Sequence, residues 1–202
     1  MPSTSPILIP VPDVLQGSRV VVRCYQPEDA AAFYEAVDES RDHLPPFENW
    51  AHDFHSVDDA YVQVTHCRAR WMVRQEFAAG IFHKETGRLL GACGIHRVDW
   101  ERRVFMIGYW IRKSEVGKGY VSEAVRVLTR LAFRLFGANR VEIRMNTRNV
   151  RSAAVPQRLG FVLEGTLRNA TPRSIEGKLG DEYVYALIPE DFLALPWSRT
   201  DE

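Results

Sequence analysis

A chain of 202 residues, 46% hydrophobic, is about the size at which a single domain buries most of its apolar surface, so one domain is expected. Its 26 Lys and Arg balance 26 Asp and Glu, which removes any bulk attraction to a polyanion and argues against nucleic acid as a direct ligand. Cys24, Cys67 and Cys93 fit neither a disulfide framework nor C-x-x-C metal spacing, and no apolar run is long enough to span a membrane; the expected setting is the cytoplasm, with neither metal nor membrane as partner.

Residues 1–14, rich in Pro and Ser, read as an extended arm, 15–190 as the domain and 191–202 as a C-terminal tail. The β-branched run Arg19 to Tyr25 predicts a strand, and Pro27-Glu28-Asp29 then opens a helix. Pro45-Pro46 marks a loop before a second helix from Val57 to about Gln75. Phe77 to His83, Leu90 to Val98 and Val104 to Ile111 are short runs separated by turn residues, an antiparallel meander. From Tyr120 the apolar residues Val121, Ala124, Val125, Leu128, Leu131 and Leu135 keep helical spacing until Gly137. Arg140 to Met145 reads as a strand, Val150 to Leu159 as a short helix ended by Gly160, and Phe161 to Leu167 and Tyr183 to Ile188 as two further strands.

Between the third meander strand and the long helix stands Lys113-Ser114-Glu115-Val116-Gly117-Lys118-Gly119-Tyr120. A helix start offers free backbone N–H groups and a positive dipole end, which suits a pyrophosphate. Gly117 and Gly119 let backbone approach phosphate oxygens, and Lys118 adds a cation; an ordinary strand-to-helix turn would also carry such residues. The spacing fits neither the Walker loop nor the dinucleotide fingerprint, whose third glycine is replaced here by Ser122.

Taken together, Ile107-Gly108-Tyr109-Trp110-Ile111, Gly117-Lys118-Gly119-Tyr120 and Glu123-Ala124 resemble the GNAT acetyltransferase superfamily. Asn149-Val150-Arg151-Ser152, Arg158-Leu159-Gly160-Phe161, Glu164-Gly165 and Leu167-Arg168 are similar to its RimJ/RimL type, which acetylates protein N-termini. The resemblance runs from about Leu15 to Pro189. It implies an α+β, three-layer fold with a mixed, mostly antiparallel central sheet whose middle strands splay apart, flanked by helices, and acetyl-CoA inserted between those strands. It also implies a primary amine as acceptor, most often a protein N-terminus, and a homodimer.

By the same resemblance Tyr109, Trp110, Ile111, Val116, Gly117, Lys118, Gly119, Tyr120, Asn149, Ser152 and Arg158 hold the cofactor. Asn149 serves pantetheine and Ser152 protonates the departing sulfur, although Asn-x-x-Ser is also a helix cap. A backbone N–H near Tyr109 or Trp110 would receive the thioester oxygen as it gains charge. The family's basic glutamate would follow Arg168-Asn169-Ala170, where this chain has Thr171. Glu48, beside Trp50, and Asp99 are the substitutes for base or amine anchor, each also readable as a solvated loop acid. An α-amine with a pKa of about 7.8 is roughly 10–15% neutral at pH 7, so it needs less help than lysine. Trp50, Trp110 and His96 are the remaining acceptor-side candidates; His96 could act as a base or satisfy a core hydrogen bond. Two other readings stay open: acetylation of a small-molecule amine, and a sensor that binds acyl-CoA without turnover.

Overall fold

A computed structural model describes residues 5–44, 49–171 and 179–199. Its first strands, β1 (Val14–Gln16) and β2 (Val20–Cys24), pair antiparallel. A 3-10 turn at Pro27–Asp29 leads into α1 (Ala30–Glu39); Asp29 fixes this corner by accepting from Gln26 N at 2.8 Å and pairing with Arg23 at 2.7 Å. Helix α2 (Val57–Met72) opens on a reciprocal cap between Ser56 and Asp59. It stops short of the expected Gln75, because Arg74 turns the chain with φ 61°.

The meander is β3 (Phe77–His83), β4 (Leu89–Asp99) and β5 (Val104–Ile111). It is followed by α3 (Tyr120–Arg134), β6 (Arg140–Asn146), α4 (Val150–Leu159), β7 (Val162–Leu167), β8 (Glu182–Leu187) and α5 (Pro189–Ala194). The strands form one sheet in the order β1-β2-β3-β4-β5-β6-β8-β7. Every neighbouring pair is antiparallel except β5 and β6.

That exception positions the site. β5 and β6 pair only through Val104–Met106 with Arg140–Glu142, after which they share no ladder. The C-terminal half of β5 therefore keeps β4 on one side and loses its partner on the other. This is the splayed pair that the resemblance implies.

Strand alternation divides the sheet's side chains between two cores. Ile95, Ile107, Ile143 and Tyr185 pack with Leu128 of α3 and Ala153 of α4. On the opposite face Phe33 and Val37 of α1, Val64 of α2, Phe82 and Leu89 form the second cluster, with Trp50 and Trp110 at its border. Beyond residue 190, where a tail was expected, Phe192 of α5 stacks on Phe133 of α3 at 4.5 Å and Trp197 Nε1 donates to Leu159 O at 3.2 Å. These residues close the α3 and α4 side.

Candidate active site

The slit has a defined backbone polarity. Arg112 N donates to Leu90 O at 2.8 Å, and hydrogen-bonded pairs alternate along an antiparallel ladder. The register Trp110↔Ala92 and Gly108↔Gly94 therefore turns the N–H and C=O of Trp110 and Gly108 toward β4. Those of Tyr109 and Ile111 face the side that β6 has left. The oxygen donor expected near Tyr109 or Trp110 narrows accordingly to Tyr109, since the Trp110 amide is directed into the sheet.

The slit leads to the glycine loop. Gly117 and Gly119 adopt φ of 82° and 85°, and a Cβ on Gly117 would meet nothing within 4 Å. The first intrahelical bond of α3 runs from Glu123 N to Gly119 O at 3.2 Å, so the N–H groups of Gly117 to Ser122 donate to no acceptor among the described residues. Unpaired donors at a 15-residue helix start, exposed at Gly117 and Lys118, form an anion cradle. Lys118 contributes differently from the expectation: its Nζ pairs with Glu115 at 2.9 Å, so its charge is partly compensated. Arg158 reaches from α4 to Ser122 Oγ at 3.0 Å, in the first turn of α3. The half-buried Val116 and Tyr120 flank the glycines, the Tyr120 ring lying under the Arg19 guanidinium at 4.9 Å.

Two nonlocal anchors that sequence reasoning missed hold the cradle. Buried Glu123 accepts from Arg19 N at 2.6 Å and Val20 N at 3.1 Å, tying α3 to the β1–β2 turn. Arg112, 1% exposed, bonds Glu35 at 2.7 Å and Glu39 at 2.9 Å, and Glu39 also accepts from Ser114 N at 3.0 Å. Burial opposes ionisation of Glu39, but the bonds from Ser114 and Arg112 outweigh it and hold its carboxyl below the usual range. Arg112→Ala leaves these carboxylates without their buried cation and opens a void. It should lower stability by ~3 kcal/mol, read as a fall in the urea midpoint with an unchanged slope.

Beside the slit, Ser152 and Tyr109 meet. Tyr109 Oη donates to Ser152 O at 2.8 Å, and Ser152 Oγ lies 3.2 Å from Tyr109 Oη. Burial pushes the Tyr109 phenol well above its ordinary range, so it keeps its proton at neutral pH. The Tyr109 hydroxyl was absent from the sequence reading, which used only this residue's backbone. Asn149 caps α4, its Oδ1 accepting from Ser152 N at 3.1 Å, which leaves its NH2 group and the second lone pair of Oδ1 for the expected contact with pantetheine.

On the face under α1 and α2, Trp110 lies 5.6 Å from Trp50 and 5.9 Å from Phe33. Trp50 and Phe54 border a shallow cleft of about 280 Å³ that also touches Asp53 and Asp59. Glu48 lies outside the described residues. Asp99 bonds Arg102 N at 2.9 Å within its own turn. Thr171 is buried, exchanging hydrogen bonds with Gly180 at 2.9 and 3.0 Å. His96 shares this face and bonds Glu76 through Nδ1. The site thus brings Tyr109, Ile111, Ser152, Asn149, Arg158 and the glycine loop to one slit, with Trp110, Trp50 and His96 on the other face.

Comparison with known proteins agrees with this geometry. Residues 19–162 match the family model described as "Acetyltransferase (GNAT) domain". The protein of Bacillus subtilis (strain 168) named "Putative ribosomal N-acetyltransferase YdaF" is 30% identical over 87% of this chain and 94% of its own length. "Ribosomal-protein-serine acetyltransferase" of Escherichia coli (strain K12) is 28% identical over 68% of this chain and 75% of its own. Among solved structures, Mycobacterium smegmatis RimJ in complex with CoA-disulfide is 25% identical, with a TM-score of 0.82 over 93% of this chain and 92% of that one.

Proposed function

Because the chain belongs to the GNAT acetyltransferase family and is an acetyl-CoA-dependent N-acetyltransferase, we propose that it acetylates the N-terminal α-amine of a protein or peptide by direct attack within a ternary complex. The observation that carries this reading is the splay of β5 from β6 beside the glycine loop. It leaves the Ile111 N–H and the Tyr109 and Ile111 carbonyls to pair with an amide-bearing arm, and the N–H groups of Gly117 to Ser122 for a pyrophosphate. The relatives named for ribosomal proteins favour a protein acceptor, and the cytoplasm is the setting that goes with that reading.

Bound there, acetyl-CoA supplies an acetyl thioester. The Tyr109 N–H is set to receive the carbonyl oxygen as it gains charge. The Tyr109 and Ser152 hydroxyls offer a proton to the sulfur as it leaves, and Asn149 and Arg158 orient the arm and the pyrophosphate. No cysteine competes as a covalent carrier among these groups: burial pushes the Cys24 thiol up to about 11, Cys67 to about 12 and Cys93 higher still, so all three stay protonated.

The experiment is thiol release from acetyl-CoA against peptides with free N-termini, polyamines, aminoglycosides and amino acids, with calorimetry of cofactor binding. Peptide turnover is expected. Turnover confined to small amines would transfer the role to metabolite modification, and binding without turnover would make the protein a sensor.

A further inference from the structure

We propose that His96, oriented by Glu76, is the general base of this acetyl transfer; the inference rests on the proposed reaction and fills the role left open where Thr171 replaces the family's glutamate. His96 stands on β4 opposite Met106, two residue pairs past the Gly94↔Gly108 pair and on the same face of the sheet. Its ring lies back over those two glycines. A Cβ on Gly94 would come within 2.9 Å of His96 Nε2, and one on Gly108 within 3.1 Å of Cδ2 and 3.3 Å of Nε2. Two facing glycines thus make the space that the imidazole fills. Gly108 immediately precedes Tyr109, whose N–H faces the slit, so Nε2 sits beside the point where an acceptor nitrogen must meet the acetyl carbon.

Orientation follows from the other ring nitrogen. Nδ1 bonds Glu76 Oε1, while Glu76 Oε2 is held by Arg70 at 3.1 Å. The bond to His96 is the largest influence holding the Glu76 carboxyl below its usual range, so it is an anion that accepts from Nδ1–H. That tautomer leaves the Nε2 lone pair free, and no donor reaches it among the described residues.

The carboxylates of β6 and β8 on this face are engaged. Glu142 Oε1 accepts from Arg140 at 2.6 Å and Oε2 from Arg144 at 2.9 Å, and Glu182 lies 3.7 Å from Arg144. The charged and titratable groups around His96 are therefore Glu76 with Arg70, the protonated Cys67 thiol of α2, the Glu142–Arg140–Arg144 set on β6, and exposed Arg97 on its own strand.

In the step, the acceptor nitrogen forms a C–N bond to the acetyl carbonyl carbon and loses its proton to His96 Nε2. The C–S bond breaks, and the sulfur takes a proton from the Tyr109–Ser152 hydroxyl pair. Solvent returns a proton to that pair and receives the one held by His96.

The test compares wild type, His96→Gln, Glu76→Gln and Glu76→Ala with a peptide acceptor across pH, alongside nitrogen NMR of the His96 ring. His96→Gln should lower kcat/KM about 10- to 100-fold at pH 7 and move the acidic limb of the profile to higher pH, with the deficit shrinking as pH rises and the amine loses its own proton. Its affinity for acetyl-CoA should not change. Glu76→Gln keeps an acceptor for Nδ1–H and should retain most activity, whereas Glu76→Ala should lose both activity and the Nδ1–H tautomer. An unchanged pH profile in His96→Gln, or a wild-type ring protonated at Nε2 instead of Nδ1, overturns the base while leaving the acetyl transfer standing. Absence of wild-type turnover with every amine overturns both.

Discussion

Replacing Gly117 with Val should weaken acetyl-CoA binding about 10²-fold, or ~2.7 kcal/mol, with little change in thermal stability. Gly117 sits at φ 82°, where a β-branched residue is an outlier, and it is exposed, so relaxation of the loop rather than unfolding relieves the strain. Relaxation turns the N–H groups of Gly117 to Gly119 away from one another, and a cradle of converging donors is lost as a unit. Lys118→Ala is the informative contrast. Its ammonium already pairs with Glu115, so its removal should weaken binding less than tenfold. Calorimetry of both variants decides the matter: equal affinity in wild type and Gly117→Val would mean that the loop does not carry the pyrophosphate.

The second large effect is expected at the hydroxyl pair. Ser152→Ala and Tyr109→Phe should each lower kcat about 10²-fold, with acetyl-CoA affinity nearly unchanged. Both groups deliver one proton to one atom, so the double variant should be little worse than either single one. Tyr109 Oη donates to Ser152 O at 2.8 Å and Ser152 Oγ to Tyr109 Oη at 3.2 Å, so delivery to the sulfur requires one of these O–H groups to turn from its present acceptor. Additive losses in the double variant would show two separate roles, and wild-type kcat in Ser152→Ala would remove the serine from proton delivery.

What the sequence made legible is what local chemistry controls. The apolar period of α3, the glycines at its start and the alternating meander are written in neighbouring residues, and β5 and α4 fall at the expected bounds. The divergence of β5 from β6 is implied by resemblance alone, since strand pairing between Val104 and Arg140 depends on residues far apart in the chain. The same holds for Glu123 on Arg19, separated by 104 positions, and for His96 on Glu76, separated by 20. Its place on the strand run Leu90 to Val98 singled out His96, but its orientation needed the Gly94↔Gly108 pair, which only the register supplies. In α5 a local signal was available: Pro189 with Glu190 and Asp191 is a helix start, and the stacking of Phe192 on Phe133 stabilises a helix too short to stand alone.

The central claim, acetyl transfer to an N-terminal α-amine, is tested most directly by mass-mapping one peptide that carries both a free N-terminus and an internal lysine after incubation with the protein and acetyl-CoA. A single acetyl group on the α-amine, absent when the N-terminus is blocked beforehand, is the predicted result. An acetyl group on the lysine with the α-amine untouched, or none on either while small amines are acetylated, would contradict it.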